Sequence, residues 1–395
     1  MPVNEYGVRV SGPLEPWTRQ FTSGLVRLGY ARGTICNSLR IFGFVSRWLE
    51  RRRLQPRELR ATQLEQLSRA RRSGGHRFGR SKVLQFLREV GVVARERPAA
   101  KRTALDRLLE RYREYLAEER GLSVGVVRWY GIVARRFLER RPREAPLRRL
   151  SAGELREFLR EQARGFSKGQ AAHIAGALRS LVRYLHCVGL IPGPLAGAVP
   201  SISGWRGASL PQALPPGTVG TLLRGCDRRT LIGRRDYAVM MVLARLGLRA
   251  GEVAGLDLDA IDWRHGEMVV HGKGKTLSRL PLPHDVGEAL SAYLVRRPRV
   301  DSRALFLRSR APLQRLTQTG VTHIVALAAQ RAGLARTSPH QLRHTLATEM
   351  LRRGATLAHI AQVLRHRSLS TTAIYAKVDR VALRELAQPW PGGVA

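Results

Sequence analysis

The sequence predicts a mainly α-helical, multidomain protein with N-terminal helical domains and a mixed α+β C-terminal domain that holds a small antiparallel sheet. Residues 107–191 carry apolar side chains at helical spacing, and residues 15–95 repeat that pattern more weakly. Beyond residue 216 the pattern changes, because two alternating apolar segments flank a glycine turn, as in a β-hairpin. A length of 395 residues fits two to three domains.

The first clear domain is expected to contain four helices. Apolar spacing predicts them, in chain order, at 108–116, 126–138, 151–159 and 171–187. Gly121 follows the first helix and ends it. Ser151 and Glu154 have the spacing of a capping box, which opens the third helix. The prolines and glycines between residues 200 and 216 indicate an interdomain linker.

An internal similarity links this domain to the preceding residues. Phe86–Val93 parallels Tyr184–Ile191, and Gly29 parallels Gly121. The spacings differ by several residues, so a duplicated four-helix domain is one interpretation. Two unrelated helical domains with similar helix ends are the other. The domains that we expect are 1–100 for this extension, 105–200 for the helical domain, 201–216 for the linker and 217–388 for the mixed domain.

The C-terminal part combines helices with a hairpin. Strands are predicted at 267–271 and 277–282, on either side of Gly-Lys-Gly-Lys. Helices are predicted at 235–246, 249–256, 285–296, 317–332, 338–353, 356–364 and 370–377. Asp257, Asp259 and Asp262 alternate with apolar residues before the hairpin. A solvated surface is therefore preferred to a magnesium site for these three carboxylates.

The charge balance indicates a polyanionic partner. The chain has 69 Lys and Arg against 30 Asp and Glu, for a formal net charge of +39. The excess is +13 in residues 1–100, +11 in 101–208 and +15 in 209–395. Nucleic acid is the expected partner, and every domain could contact phosphate. An anionic membrane surface and a uniformly Arg-rich proteome are the alternatives.

The sequence lacks the motifs typical of metal-binding, nucleotide-binding and membrane-spanning proteins. Cys36, Cys187 and Cys226 form no C-x-x-C pair, and there is no His-Glu-x-x-His motif or tight carboxylate group. The sequence contains no G-x-x-x-x-G-K-[ST] phosphate loop. The longest apolar stretch, 237–248, is interrupted by Arg245 and is shorter than the roughly 20 residues of a membrane span. With no apolar leader, we expect a cytoplasmic protein without metal, cofactor or membrane partner.

The remaining candidates for catalytic residues are a set of basic residues and one tyrosine. Its members are Arg249, Lys273, His340, Arg343, His366 and Tyr375. His340 and Arg343 are three residues apart and therefore share one helix face. Phosphodiester transesterification needs such groups: an attacking oxygen, cations against the phosphoryl oxygens and a proton donor for the leaving oxygen.

The motifs around these residues resemble the phage-integrase, or tyrosine recombinase, family. They are Leu246-Gly-Leu-Arg-x-x-Glu252, Gly272-Lys-Gly274, Pro339-His-x-Leu-Arg-His-Thr345 and Leu364-x-His-x-Ser-x-x-Thr-Thr-x-x-Tyr375. All six catalytic positions of the family pattern are filled, in order and at the usual spacings. The resemblance covers residues 105–385. It implies a SAM-like helical core-binding domain at 110–191 and a tyrosine recombinase catalytic domain at 217–385.

The resemblance implies strand transfer without metal or ATP. Tyr375 would attack the scissile phosphate, giving a 3′-phosphotyrosine link and a free 5′-hydroxyl. Arg249 and Arg343 would clamp the non-bridging oxygens with their planar guanidinium groups. The covalent bond would conserve the energy of the broken linkage, so that rejoining needs no cofactor.

The other positions of the pattern would move protons. His340 would help deprotonate the tyrosine, His366 would donate to a phosphoryl oxygen, and Lys273 would protonate the 5′-oxygen. Glu252 is expected to orient the first arginine or to cap its helix. His344 follows Arg343 but points about 100° away around the helix, so we interpret it as structural.

Arg365 departs from the family pattern, which usually has glycine before the last histidine. Glycine at that place ends a helix in the left-handed conformation, which would cost arginine about 1 kcal/mol. Either the turn is built differently, or Arg365 adds a phosphate contact.

The resemblance also implies partners and a location. These are double-stranded DNA with two recombination sites, four copies of the chain on that DNA, accessory recombinases or DNA-bending proteins, and the bacterial nucleoid. Integration, excision or transposition of a mobile element is the expected role. A non-catalytic DNA-binding relative and a topoisomerase of the type IB kind are the alternatives.

Overall fold

The computed structural model describes residues 5–59, 63, 80–93, 103–142, 145–201, 212–272, 277–366, 369–372 and 374–375. Its α-helices are α1 Thr18–Arg27, α2 Arg32–Arg51, α3 Arg80–Glu89, α4 Ala104–Glu118, α5 Val124–Arg140, α6 Ala152–Ala163, α7 Lys168–Cys187, α8 Thr218–Arg224, α9 Leu231–Leu246, α10 Ala250–Gly255, α11 His284–Leu294, α12 Gln318–Arg331, α13 Pro339–Arg352, α14 Leu357–Leu364 and α15 Leu369–Thr372. Its strands are β1 Ile261–Asp262, β2 Glu267–His271 and β3 Leu277–Pro281. The predicted class, mainly helical and multidomain with a small antiparallel sheet, is confirmed.

The chain divides into two compact units. One consists of Met1–Arg95 and Ser209–Ala395, and the other of Glu96–Ala208. The predicted duplication and the four domain boundaries stay predictions, and most of the proposed linker lies outside the described residues. No helix of the described ranges is both long and apolar enough to cross a membrane.

The unit of residues 96–208 contains the four predicted helices, α4 to α7, around one apolar core. Its capping box at Ser151 is only half formed, which corrects the sequence analysis. The Ser151 hydroxyl accepts from the backbone N–H of Glu154 at 3.3 Å. The Glu154 carboxylate, however, accepts from Nε of Arg141 at 3.0 Å. A charged donor forms a stronger hydrogen bond than a backbone amide, so the carboxylate binds Arg141 and not the N-cap N–H.

Helices α1 to α3 pack around a cluster of three phenylalanine rings. Phe21 lies 4.5 Å from Phe42 and 5.0 Å from Phe86, measured between ring centroids. After α1 the chain turns through Gly29, whose φ is +74°. The neighbouring carbonyl of Leu28 accepts from the backbone N–H of Leu313 at 2.9 Å. This hydrogen bond joins the N-terminal helices to the C-terminal part of the same unit.

Helix α9 is the centre of the C-terminal part. Its apolar residues from Ala238 to Leu246 are all buried, and it packs against α8, α10, α11 and α13. The antiparallel sheet adds Met268, Val270 and Leu280 to the same core, with Met268 paired to Leu280. The hairpin strands lie where the sequence predicts them. The two-residue strand β1 was missed, because a segment so short has no measurable alternation.

Gly247 ends α9 and controls the direction of the chain towards α10. Its φ is +59°, in the left-handed region that glycine enters without steric penalty. A β-carbon at this position would lie 2.9 Å from Cδ2 of Leu346 and 2.9 Å from Cδ2 of Leu364. The sharp turn places Arg249 at the start of α10, two residues later.

Replacing Gly247 with alanine should lower the free energy of unfolding by about 1–2 kcal/mol, through backbone strain and crowding against two leucines. Urea denaturation measures the change. Gly255→Ala is the matched control, because that glycine has no positive φ and open space around its Cα. Equal stability of the two variants would contradict the assigned role of Gly247.

Candidate active site

A cleft of about 530 Å³ lies beside the hairpin in the C-terminal part. Its lining residues are Arg249, Gly251, Glu252, His271, Gly272, Ser278, Gln318, Arg365, His366 and Thr371. They come from α10, the hairpin, α12, and the segment from the end of α14 to α15. Four of them are residues that the sequence predicts as catalytic or supporting: Arg249, Glu252, Arg365 and His366. The cleft is therefore suited to an anionic group.

Glu252 holds the guanidinium of Arg249 on the lining of this cleft. Its Oε2 accepts from the backbone N–H of Arg249 at 2.8 Å, and its Oε1 accepts from Nη1 of Arg249 at 2.8 Å. Both expected roles of Glu252, orienting the arginine and capping α10, are thus performed by one carboxylate. Burial by itself would raise the pKa of Glu252, but the hydrogen bonds from Arg249 and the charge of Arg365 lower it below its usual value.

Arg343 is buried, with 2% of its surface exposed. It lies on α13, whose start is capped by Ser338. Its Nη1 donates to the carbonyl of Gly247, and its Nη2 donates to the carbonyl of Leu364. Burial, followed by repulsion from Arg249, lowers the pKa of Arg343 to about 10, so the group is charged at neutral pH. Each Nη keeps a second N–H beyond the one that binds a carbonyl.

Tyr375 lies in a small apolar cluster with Ala347, Ile360 and Leu364, and 1% of its surface is exposed. Burial raises the pKa of its hydroxyl to about 12. Its hydroxyl oxygen is 2.8 Å from Nδ1 of His344. The nucleophile predicted from the sequence is therefore neutral and hydrogen-bonded to an imidazole.

His344, interpreted from the sequence as structural, is the imidazole that contacts this tyrosine. His340 lies one helical turn earlier, with its ring centroid 4.3 Å from that of His344. The overlooked signal was the spacing of four residues, which places the two rings edge to face on one face of α13. Burial and then the neighbouring His340 lower the pKa of His344 to about 4. Burial also lowers the pKa of His340, with Arg343 and Arg249 adding to the effect.

The turn after α14 carries the last histidine of the motif. Arg365 has φ +52° and ends α14 in the left-handed conformation, as glycine would. The turn is thus not rebuilt to accommodate the side chain. Nη2 of Arg365 donates to Oε2 of Glu252 at 2.8 Å. Nδ1 of His366 lies 2.7 Å from the hydroxyl of Thr372, and burial followed by the charge of Arg343 lowers its pKa to about 4.

Lys273 lies outside the described residues, so its position stays a prediction. His271 and Gly272, directly before the undescribed residues 273–276, and Ser278, shortly after them, line the cleft. The three carboxylates before the hairpin do not converge on one point. Their partners are Arg315 for Asp257, Arg303 for Asp259 and His265 for Asp262. Within the described ranges, no group of three or more His, Cys, Asp or Glu could hold a metal ion.

The fold and this set of side chains define the class of protein, and comparisons with known proteins agree. Residues 213–381 match the model of the phage integrase family. The chain is 38% identical over 393 residues to the putative integrase/recombinase y4rA of Sinorhizobium fredii, covering 96% of this chain and 95% of that protein. It is 34% identical to the tyrosine recombinase XerD of Mycobacterium tuberculosis, over 72% of this chain and 96% of XerD.

Two solved structures share the fold. A XerH recombinase bound to its palindromic difH substrate superposes with a TM-score of 0.56, at 21% identity, covering 71% of this chain and 84% of that one. A lambda integrase dimer bound to a core site gives a TM-score of 0.55, at 17% identity, covering 80% of this chain and 89% of that one. The protein belongs to the tyrosine recombinase, or phage integrase, family.

The depressed pKa values of His344 and His366 can be measured by NMR titration of ¹³C-labelled histidine. Both rings should stay neutral down to about pH 5, because burial opposes their protonation. The variants His344→Gln and His366→Gln assign the two resonances, and His359→Gln assigns an exposed histidine of α14 as a reference. Titration of either buried ring near pH 6.5 would show that the site is more hydrated than this structure has it.

Proposed function

We propose that the protein is a site-specific DNA recombinase that cuts and rejoins DNA through a covalent 3′-phosphotyrosine intermediate, to integrate, excise or transpose a mobile element. The observation that carries the proposal is the meeting of sequence-distant groups. Arg343 binds the carbonyl of Leu364, the next residues, Arg365 and His366, line the cleft with Arg249, and His344 binds Tyr375. A cationic cleft beside a hydrogen-bonded tyrosine suits phosphoryl transfer.

The attack begins at the Tyr375 hydroxyl. Its oxygen forms the new bond to phosphorus while the bond from phosphorus to the 5′-oxygen breaks. A phenol with a pKa of about 12 needs a base to lose its proton at neutral pH. His344, at 2.8 Å, is the group in place to take that proton in this structure. His340, packed against His344, would accept it onward or act directly once DNA repositions the tyrosine.

Charge on the phosphoryl oxygens is balanced by fixed donors. Arg249 offers its guanidinium from the N-terminus of α10, and His366 offers an imidazole N–H from the turn before α15. Arg343 contributes positive charge from its buried position, and each of its Nη atoms has a second N–H that is not used in binding a carbonyl. Such donors stabilise the transition state most when they need no reorganisation. The bonds of Arg343 to Gly247 and Leu364 supply that rigidity.

Departure of the 5′-oxygen requires a proton, which we assign to Lys273 on the hairpin turn. The reaction conserves the phosphodiester energy in the tyrosine link, so neither metal nor ATP enters it. The free 5′-hydroxyl of a second strand then attacks the phosphotyrosine, which rejoins the DNA and releases Tyr375.

The partners follow from this chemistry. Exchange between two duplexes needs one tyrosine for each strand, which favours four copies of the chain on two DNA sites. The XerH and lambda integrase structures are themselves complexes with DNA. A DNA substrate favours a location on the bacterial nucleoid, in the cytoplasm, and we propose accessory recombinases or DNA-bending proteins as further partners. The hydrogen bond between Tyr375 and His344 argues against a non-catalytic DNA-binding protein. An assay for a synaptic complex of two labelled duplexes would distinguish a recombinase from a topoisomerase.

Tyr375→Phe should bind DNA with wild-type affinity and form no covalent adduct with a nicked suicide substrate, because it lacks the attacking oxygen. Denaturing gels detect the adduct, and gel shifts measure binding. Tyr237→Phe is the control tyrosine and should form the adduct as the wild type does. Wild-type cleavage should persist in excess EDTA. An adduct in the Tyr375 variant, or a strict need for magnesium, would refute the mechanism.

The two proton-transfer roles can be separated with a substrate in which sulfur replaces the bridging 5′-oxygen. A thiolate leaves without a proton, since thiols ionise near pH 8.5. Lys273→Ala should cleave ordinary DNA roughly 10²–10⁴-fold more slowly and regain most of that rate on the sulfur substrate. His344→Ala should be slow on both substrates, because it acts on the nucleophile.

Two further variants serve as controls for that experiment. Lys275→Ala removes the other lysine of the same turn, and His359→Ala removes an exposed histidine of α14. Both should cleave ordinary DNA at close to the wild-type rate. Rescue of His344→Ala by sulfur, or no rescue of Lys273→Ala, would reverse the two assignments.

A further inference from the structure

Arg365 lines the cleft in a backbone conformation that is unfavourable for arginine. Its φ of +52° is shared, among non-glycine residues that the structure describes, only with Arg53, at +55°. Left-handed backbone is unfavourable for any residue with a β-carbon. The guanidinium is also largely withdrawn from water, with 11% of the side chain exposed. Two unfavourable contributions at one residue call for a compensating interaction.

The contacts of Arg365 within the protein compensate only in part. Nη2 donates to Glu252 at 2.8 Å, and Nη1 makes a long contact of 3.4 Å with the carbonyl of Val363. Nε is buried and has no hydrogen-bond partner among the described residues. A buried donor without an acceptor is uncommon in proteins and calls for an explanation. Arg365 thus keeps donor capacity that its protein neighbours do not use.

Glu252 is shared between two guanidinium groups. Its Oε1 binds Nη1 of Arg249, and its Oε2 binds Nη2 of Arg365. One carboxylate therefore holds two arginines on the lining of the same cleft, and the three groups together carry one net positive charge. Without Glu252 the two guanidinium groups would repel each other. With Glu252 bound, the remaining positive charge can attract a second anion into the cleft.

We propose that Arg365 is a phosphate-binding residue of the active site, a further guanidinium that contacts a non-bridging oxygen of the scissile phosphodiester beside Arg249. The inference rests on the proposed function, since it takes the cleft as the place of the scissile phosphate. Arg365 directly precedes His366 and lines the cleft with it. A planar guanidinium with an uncommitted Nε–H matches a phosphoryl oxygen in both charge and geometry.

The test uses the full-length protein, single-turnover cleavage of a nicked suicide substrate, and the variant Arg365→Gly. Glycine suits the left-handed turn better than arginine does, so folding should be preserved, which thermal denaturation checks. Cleavage should slow by roughly 10²-fold, as for loss of one donor at developing charge. Arg53→Gly is the matched control: it removes the same charge from the same backbone conformation at an exposed residue outside the cleft, and its rate should stay within about twofold of wild type.

A second substrate distinguishes direct contact from an effect passed through Glu252. Its scissile phosphate carries a methyl group in place of one non-bridging oxygen, prepared as two separate stereoisomers. In one stereoisomer the methyl group replaces the oxygen that Arg365 contacts. Wild type and Arg365→Gly should cleave that substrate at rates within about threefold of each other, because the contact between Arg365 and the oxygen is absent in both reactions.

The outcomes separate the inference from the function on which it rests. If Arg365→Gly is as slow relative to wild type on both stereoisomers as on ordinary DNA, Arg365 is a positioning residue and the proposal is overturned. Cleavage of ordinary DNA by Arg365→Gly at the wild-type rate would also overturn it. Failure of the wild type to form any adduct would instead refute the proposed function. Arg365→Asn, which also tolerates left-handed backbone, should reproduce the result with glycine.

Discussion

The buried guanidinium of Arg343 is the interaction on which the active site depends. It donates to the carbonyl that ends α9, at Gly247, and to the carbonyl that ends α14, at Leu364. Helix ends leave carbonyls without intrahelical partners, and a buried arginine needs acceptors, so each satisfies the other. Because Arg249 and Arg365 follow those two ends closely, one side chain fixes the positions of both.

Glu252 adds a second level of organisation above this buried layer. Its two oxygens bind the backbone and guanidinium of Arg249 and the guanidinium of Arg365, so charges that would otherwise repel are held close together. The carboxylate keeps a pKa below its usual value in spite of burial, and it is therefore ionised at neutral pH. Rigid, paired arginines are suited to a phosphate that develops charge during reaction.

The environment of Tyr375, the proposed nucleophile, is set mainly by hydrophobic burial. Tyr375 packs against Ala347, Ile360 and Leu364, and its raised pKa keeps the hydroxyl protonated. The imidazole of His344 is neutral for the same reason, since burial penalises its cation. A neutral tyrosine–histidine pair is stable in an apolar pocket before DNA binds. Removal of the phenolic proton must therefore either transfer it to His344 or break the hydrogen bond between Tyr375 and His344.

Much of this protein could be predicted from the sequence alone. Helices, the Ser338 cap and the hairpin follow from periodicity and end signals that act within a few residues, whereas the capping box predicted at Ser151 forms only in part. The motifs supply the residue types of the proposed site. The sequence left open whether the turn at Arg365 is built differently or Arg365 contacts a phosphate. The structure keeps the left-handed turn, and the phosphate contact stays a proposal. Tertiary structure alone decided that Arg365 meets Glu252, 113 positions away, and that His344 meets Tyr375. Such pairings depend on how helix ends pack in space, and no local pattern encodes that distance.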